Sequence, residues 1–295
     1  MDNFRITQQT IGQQTFANLQ LSLNKLQALQ QELSSGRQLN KPSDDPQGTV
    51  AALSMRGDIA RANQYTRNLD DGMNWLGLAD STLQKAVDAA QSARTALIQG
   101  QSGAIDANGR AALATQIDQI REGLLALANT QYLGRPIFGG TAAGTTAYDA
   151  AGVYQGNTGT VTRNVAPGTT LDVNVTGPTA FGSDTTGLFA TLAQISADLR
   201  NNSTSGLTTD LGSLDANLSQ LTNQLAEVGS RYNRLQVTKQ RNDDSITRMT
   251  NSLSEVEDAD LPKTIVDLQT QEVAYQAALA ATSKVITPSL VDFLR

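Results

Sequence analysis

Residues 211–256 read LGSLDANLSQLTNQLAEVGSRYNRLQVTKQRNDDSITRMTNSLSEV, with apolar side chains at alternating steps of three and four. This stripe stays in phase across two polar positions, Lys239 and Asn242. A sustained 3.5-residue repeat predicts one long coiled-coil helix, roughly 70 Å long at 1.5 Å per residue. Such a helix is not stable alone in water, so partner helices must lie elsewhere in the chain. The apolar stripe consists of Leu211, Leu214, Leu218, Leu221, Leu225, Val228, Tyr232, Leu235, Ile246, Met249, Leu253 and Val256.

Similar repeats occur near both ends of the chain. One lies within residues 10–33, and the other follows a break at residues 257–262. Packing within one chain accounts for these stripes, and packing against copies of the chain in an assembly is the alternative that we keep open. The predicted subunit-assembly residues are the apolar members of these stripes and one aromatic residue near the C terminus: Phe16, Leu19, Leu23, Leu26, Leu33, Ile265, Leu268, Tyr275, Leu279, Ile286 and Phe293.

The middle of the chain is also predicted to be helical. A helical pattern runs from Pro46 to about Gln99, and a shorter amphipathic helix over residues 113–127 is expected to fold back antiparallel to it. Helical periodicity returns over residues 188–199. Gly72 is expected to weaken its helix by about 1 kcal/mol relative to alanine. The strictest part of the stripe in this region is Leu69, Met73, Leu76, Asp80, Leu83, Val87, Ala90, Arg94 and Leu97.

The loop after the first helix carries clear helix-end signals. Gly36 is placed to end one helix, and Asp45 followed by Pro46 predicts an N-cap and a first helical residue. Asp44 and Asp45 are both expected to face the positive end of the next helix dipole. A catalytic carboxylate pair is disfavoured, since neither a general base nor a metal cluster accompanies them. The full loop motif is Ser34, Ser35, Gly36, Arg37, Asn40, Pro42, Ser43, Asp44, Asp45 and Pro46.

Residues 141–187 differ in character from the rest. They are rich in Gly, Thr, Asn, Asp and Pro, and residues 159–165 and 170–175 alternate between apolar and polar. This alternation predicts a small β-rich insertion of about three to five strands. Its glycines do not match a phosphate-binding loop, and Asp149 does not lie in an EF-hand spacing.

Composition excludes most enzyme mechanisms. The chain has no Cys and no His, which removes thiolate nucleophiles, His-centred triads and the commonest zinc ligands. We therefore expect no enzymatic activity, no cofactor and no metal. The formal net charge of −6, with dispersed basic residues, argues against nucleic-acid binding. Apolar runs are too short for a membrane span, and residues 1–10 do not form a secretory signal, so neither a membrane partner nor a cleaved leader is expected.

The order of the elements predicts a mainly α fold. The economical arrangement brings the chain ends together as an elongated helical bundle or coiled coil with a small β-rich insertion at its tip. The predicted domains are a terminal helical pair for assembly (residues 1–45 with 257–295), a long α-helical bundle (46–137 with 187–256) and a surface insertion (138–186).

The loop motif and several short segments resemble the flagellin family. The similar segments are Gln64-Tyr65 with Asn68, residues 127–130 (LANT), residues 137–140 (IFGG) and the ending Ser289-Leu290-Val291-Asp292-Phe293-Leu294. The resemblance covers the chain through about residue 140 and from about residue 187 onward. The proline-flanked aspartate pair is closer to the subunits at the junction of hook and filament than to filament flagellins.

The resemblance implies a structural subunit of the bacterial flagellum, an adaptor between hook and filament. It implies a ring or helical layer of identical copies, with the first hook-associated protein below and flagellin above. It also implies a cytoplasmic export chaperone and an extracellular location reached by type III export without a cleaved signal peptide. The alternatives are an atypical flagellin that forms the filament itself, an extracellular rod-like adhesin or stalk, and an enzyme within the insertion.

Overall fold

The computed structural model describes residues 8–286, with side chains from residue 13 to residue 283. Seven helices and four short strands lie within this range, which confirms the mainly α fold class. The helices are α1 (Gln8–Ser35), α2 (Pro46–Gln101), α3 (Ala107–Ala128), α4 (Gly177–Phe181), α5 (Leu188–Arg200), α6 (Thr204–Glu257) and α7 (Leu261–Ile286). The strands are β1 (Gln131–Tyr132), β2 (Arg135–Pro136), β3 (Thr162–Ala166) and β4 (Thr169–Asp172).

The long helix predicted for residues 211–256 is confirmed as part of α6, and the helix predicted from Pro46 is confirmed as α2. The described chain forms two compact units. The terminal unit comprises residues 8–60 and 246–286, and the central unit comprises residues 61–245. The three-part division expected from the sequence stays a prediction.

In the central unit, α2 and α6 pack antiparallel through leucine-rich columns. The direction follows from two ion pairs: Arg94 of α2 binds Asp215, whereas the earlier residue Asp70 binds the later residue Lys239. Every seventh residue of each helix enters the core, so burial follows the heptad repeat of the sequence. The buried columns are Leu69, Leu76, Leu83, Ala90 and Leu97 on α2 and Leu207, Leu214, Leu221, Val228 and Leu235 on α6.

Gly72 on α2 lets the insertion and α6 come close to that helix. A Cβ atom on Gly72 would lie 2.9 Å from Val173 Cγ1 and 3.2 Å from Leu235 Cδ1, so a larger residue would force the insertion or α6 to move. The sequence identifies Gly72 only as a weak point of the helix. The structure gives it a packing role, because only glycine leaves room for both neighbours.

Helices α3 and α5 pack against each other in the same core. Their buried side chains include Ile117 and Leu124 of α3 and Leu192 and Ile195 of α5. An aromatic cluster completes this core, with the rings of Tyr148 and Phe189 at a centroid distance of 4.9 Å. The buried residues of α2, α3 and α5 and the aromatic rings therefore form one hydrophobic cluster.

The insertion holds fewer strands than expected. Residues 141–186 contain one two-stranded antiparallel sheet, β3 with β4, and one isolated bridge between Tyr148 and Tyr154, so the prediction of three to five strands is wrong. Side chains replace strand ladders here. Asn174 Oδ1 accepts from Val161 N at 2.8 Å, and Asp149 Oδ1 accepts from the backbone N–H groups of Ala151 and Val153 at 2.9 Å each. Asn and Asp offer such local partners, so alternating segments bond to them instead of forming further strands.

Candidate assembly site

The two terminal helices form an antiparallel pair. Gln271 Nε2 donates to Ser22 Oγ at 2.7 Å and to Ser22 O at 3.2 Å, and Thr264 Oγ1 lies 3.5 Å from Glu32 Oε1. Glu32, near the end of α1, thus lies beside Thr264, near the start of α7, and this order makes the pair antiparallel. Six of the predicted assembly residues are half-buried in this pair: Leu19, Leu23, Leu26, Leu33, Leu268 and Tyr275.

Three predicted assembly residues are exposed. Phe16 is 67% exposed, Ile265 43% and Leu279 44%. Ile286 is the last residue of α7, and its side chain lies outside the described residues, as does the whole of Phe293. The described assembly residues therefore fall into two groups. The leucines and the tyrosine are half-buried between α1 and α7, whereas Phe16, Ile265 and Leu279 are exposed to solvent in the single chain.

Helix α7 carries further apolar residues that the sequence reasoning missed. Val266 is 61% exposed, Val273 67% and Leu261 43%, whereas the polar residue Thr264 is 4% exposed. The covered face of α7 is thus partly polar, while valines face water. The seven-residue step from Val266 to Val273 could have revealed this second stripe. Solvated apolar faces of this kind mark interaction sites.

The loop after α1 is held to the break between α6 and α7. Gly36 has φ +69°, as expected for a helix C-cap, and its N–H donates to Glu32 O at 2.9 Å. Gln38 N donates to Glu257 O, and Ala259 N donates to Gly36 O, both at 2.9 Å. The loop motif therefore fixes where the chain enters α2 relative to where it leaves α6.

The two neighbouring aspartates have different roles. Asp45 Oδ1 accepts from Gln47 N at 3.0 Å, and Pro46 is the first residue of α2, so the predicted N-cap is confirmed. Asp44 Oδ2 instead accepts from Lys41 N at 2.8 Å and from Asn40 N at 3.3 Å. The expectation that Asp44 faces the helix dipole is wrong, because its carboxylate is used to close the preceding turn.

The remaining motif residues support this loop or lie on its surface. Asn40 Nδ2 donates to Arg37 O at 2.8 Å, and Ser35 Oγ accepts from Arg37 N at 3.2 Å. Ser34, Pro42 and Ser43 are exposed.

An ion pair beside the loop was not apparent from the sequence. Arg56 Nη2 lies 2.6 Å from Glu257 Oε2, and Glu257 is only 7% exposed. The pair ties α2 to the last residue of α6, next to a groove lined by Leu39, Lys41 and Leu53. Nothing in the local pattern around either residue indicates this contact, since the partners are 201 residues apart.

The described part of the chain offers neither a cluster of metal ligands nor a membrane-spanning helix. No group of three or more carboxylates is placed to hold a metal ion there. No helix between residues 8 and 286 is long and apolar enough to cross a membrane.

Residues 6–143 match the model of the bacterial flagellin N-terminal helical region, and residues 211–294 match that of the C-terminal helical region. The chain belongs to the bacterial flagellin family and is a structural component of the flagellum. Within this family it is similar to flagellar hook-associated protein 3 of Escherichia coli strain K12. The two are 28% identical over 302 residues, covering 94% of this chain and 95% of that protein.

Two further comparisons place the chain among related proteins. It is 24% identical over 287 residues to the flagellar filament 33 kDa core protein of Treponema phagedenis, covering 96% of each chain. Its fold is similar to the crystal structure of the flagellar junction protein FlgL from Legionella pneumophila, with a TM-score of 0.59 and 15% identity. That match covers 70% of this chain and 99% of the other. The family resemblance read from the sequence is confirmed.

Proposed function

We propose that this protein is the adaptor that joins the hook-side associated protein to the flagellin filament. The observation that carries the proposal is its similarity to hook-associated protein 3 along nearly the whole of both chains. The exposed apolar residues of α1 and α7 support it, because an adaptor layer must present surfaces that neighbouring copies cover.

In this proposal, copies of the chain form one ring or helical layer through their terminal helices. Phe16, Ile265 and Leu279, together with Val266 and Val273, contact neighbouring copies, while the half-buried leucines hold α1 to α7. The layer contacts the first hook-associated protein on one side and flagellin on the other. Before assembly, a cytoplasmic chaperone covers the same apolar faces, and the chain is exported without a cleaved signal peptide.

Full-length variants test the proposal in a strain from which the gene for this chain has been deleted. The wild-type chain should restore filaments and stop the release of flagellin into the medium. Leu279→Asp and Phe16→Asp each place a charge on an exposed apolar position and should leave the protein folded but unable to join hook tips. Val153→Asp is the matched control, since Val153 is 40% exposed but belongs to the insertion.

Circular dichroism separates loss of folding from loss of assembly. The proposal predicts unchanged helical content for all three variants, with flagellin released only by the two terminal ones. If the Phe16→Asp variant and the Leu279→Asp variant each restored filaments as well as the wild type does, these faces would not mediate assembly.

A second candidate function is that of an atypical flagellin. The similarity to a filament core protein over 96% of each chain favours it. Purified flagellin of this type should polymerise alone into long fibres, whereas an adaptor should remain monomeric until it meets hook tips. Light scattering and electron microscopy of the purified full chain distinguish these outcomes.

A further inference from the structure

Two carboxylates meet where α5 turns into α6 in the central unit. Asp198 lies in the last turns of α5, and its backbone carbonyl accepts from Ser203 N at 3.0 Å. Its side chain lies over the first turn of α6, because a Cβ atom on Gly206 would come 2.2 Å from Asp198 Oδ2. Its Oδ2 atom accepts from Gln194 Nε2 at 3.1 Å, and Asp210, one turn after Gly206 on α6, lies within the electrostatic and hydrogen-bonding range of the same carboxylate. The turn between the helices is tight, with Asn202 at φ +54°.

Asp210 is a buried acid without enough partners. It is 6% exposed, and within the described part of the chain its Oδ2 atom has no hydrogen-bond partner. An ionised carboxylate in this position has lost its water and gained too few donors in return. The neutral acid, by contrast, has a proton to donate to Asp198.

The cations on the surrounding elements are engaged elsewhere. Arg94 of α2 binds Asp215, and Arg200 of α5 binds Asp118 and Ser196. Arg110 of α3 donates to Gly100 O, Ser102 O and Asn202 Oδ1. Among these residues, Asp198 supplies the charge that acts on Asp210, so the local field favours a neutral group.

We propose that Asp198 and Asp210 share one proton and act as an acid-tightened clasp between α5 and α6. In the closed form, the protonated Asp210 donates to the carboxylate of Asp198, which lies over the first turn of α6. When the shared proton leaves to solvent, two negative carboxylates face each other in a poorly hydrated place. The clasp then opposes the packing of α5 on α6 instead of supporting it.

The direction of the pH effect follows from the burial of Asp210. Burial and the neighbouring Asp198 raise the pKa of Asp210 from 3.8 to about 6. A raised pKa means that the folded protein holds the proton more tightly than the unfolded chain does. The stabilisation is therefore complete below about pH 4 and is lost as the pH rises through about 6.

Thermal unfolding of the full chain between pH 4 and 7.5 tests the clasp. Asp210→Asn keeps a donor to Asp198 but cannot ionise, so its melting temperature should exceed that of the wild type by about 2–6 °C at pH 7.5. The difference should shrink as the pH falls from about 6 towards 4, with its midpoint near pH 5. Asp198→Asn should also be stabilising at pH 7.5, and the double variant should gain little more than either single one.

Asp88→Asn is the matched control, because Asp88 is an exposed carboxylate of the same unit. It removes the same charge from the chain but should not give a difference in melting temperature that changes between pH 4 and 6. A difference between Asp210→Asn and the wild type that does not change with pH would overturn the proposal. So would strict additivity of the Asp198 and Asp210 substitutions, since independent groups share no proton.

Discussion

The terminal and central units use the same kind of leucine repeat but bury it to different depths. Leu83, in the α2 stripe, is 0% exposed, whereas Leu23, in the α1 stripe, is only half-buried. The central unit surrounds its leucines with α6, α3, α5 and the insertion, but α1 and α7 cover one side of each other. A heptad repeat thus indicates that one face of a helix packs against a partner. The number of elements around that face determines how deeply its leucines are buried.

The largest expected difference in stability between the two units appears when one leucine is substituted in each. Leu83→Ala should lower the free energy of unfolding by about 2–5 kcal/mol, because it removes buried methyl groups and leaves a cavity in a close-packed core. Leu23→Ala should cost about 1 kcal/mol or less, since its side chain is already partly in water. Urea unfolding of the two full-length variants, followed by circular dichroism, measures both values.

Gln27→Ala controls for changes in helix propensity on α1, because Gln27 is exposed. Equal losses from Leu23→Ala and Leu83→Ala would contradict the comparison. They would mean that the terminal pair buries its leucines as completely in solution as the central unit does.

An intermediate effect is expected from the ion pair of the terminal unit. Arg56→Met keeps much of the side-chain volume but leaves the carboxylate of Glu257 buried without its cation. The free energy of unfolding should fall by about 1–3 kcal/mol. In the central unit, Arg94→Met should have a smaller effect, because both Arg94 and Asp215 are substantially exposed.

Thermal melts of the two arginine variants, at low and at high salt, make this comparison. The loss in Arg94→Met should shrink with added salt, since exposed pairs are screened, whereas that in Arg56→Met should persist. The opposite pattern would show that Glu257 is well hydrated in solution.

The smallest expected effect concerns the loop aspartates of the two units. Backbone N–H groups, first that of Val153, hold the pKa of Asp149 below its usual value of 3.8. A lowered pKa contributes stability above about pH 4 that is lost as the pH falls through the lowered value. Asp149→Asn should therefore lower the melting temperature slightly at pH 7, with a loss that shrinks as the pH falls below about 4, opposite in sign to the effect of Asp210→Asn.

Asp44→Asn in the terminal unit is the companion variant, since Asp44 also accepts two backbone N–H groups. It should change the melting temperature less than Asp149→Asn does, because Asp44 is exposed whereas Asp149 is half-buried. A larger change in Asp44→Asn would show that the terminal loop is the more constrained of the two.

The sequence predicted the long helices well because their signal is local and repeats many times. It also placed the cap formed by Asp45 and Pro46, since a cap depends on residues within one turn. It failed for Asp44 and for the strands of the insertion, where Asn and Asp side chains had several backbone groups within reach. From the sequence, Gly72 was expected only to weaken its helix. Its packing role could not be predicted, because Val173 and Leu235, which occupy the space of a side chain at Gly72, lie far away in the sequence.

The candidate assembly site was only partly open to sequence reasoning. Periodicity identified the terminal stripes, but it treated Leu23 and Leu279 as equivalent, although one is half-buried and the other is 44% exposed. It also passed over Val266 and Val273, because the predicted seam ran along a different column of α7. The packing geometry of α1 and α7 decides which apolar residues are buried within one chain. The heptad pattern does not predict this geometry.

The sequence by itself determined that the chain forms long amphipathic helices, that the stripes at its two ends need a partner face, and that Cys and His chemistry is absent. Each of these follows from composition or from spacing within a few turns. The tertiary structure alone decided that Arg56 meets Glu257, that Asp198 reaches Asp210, and that Gly72 admits Val173 and Leu235. Those contacts join residues from separate elements, and their chemistry depends on burial, which exists only after the elements have packed.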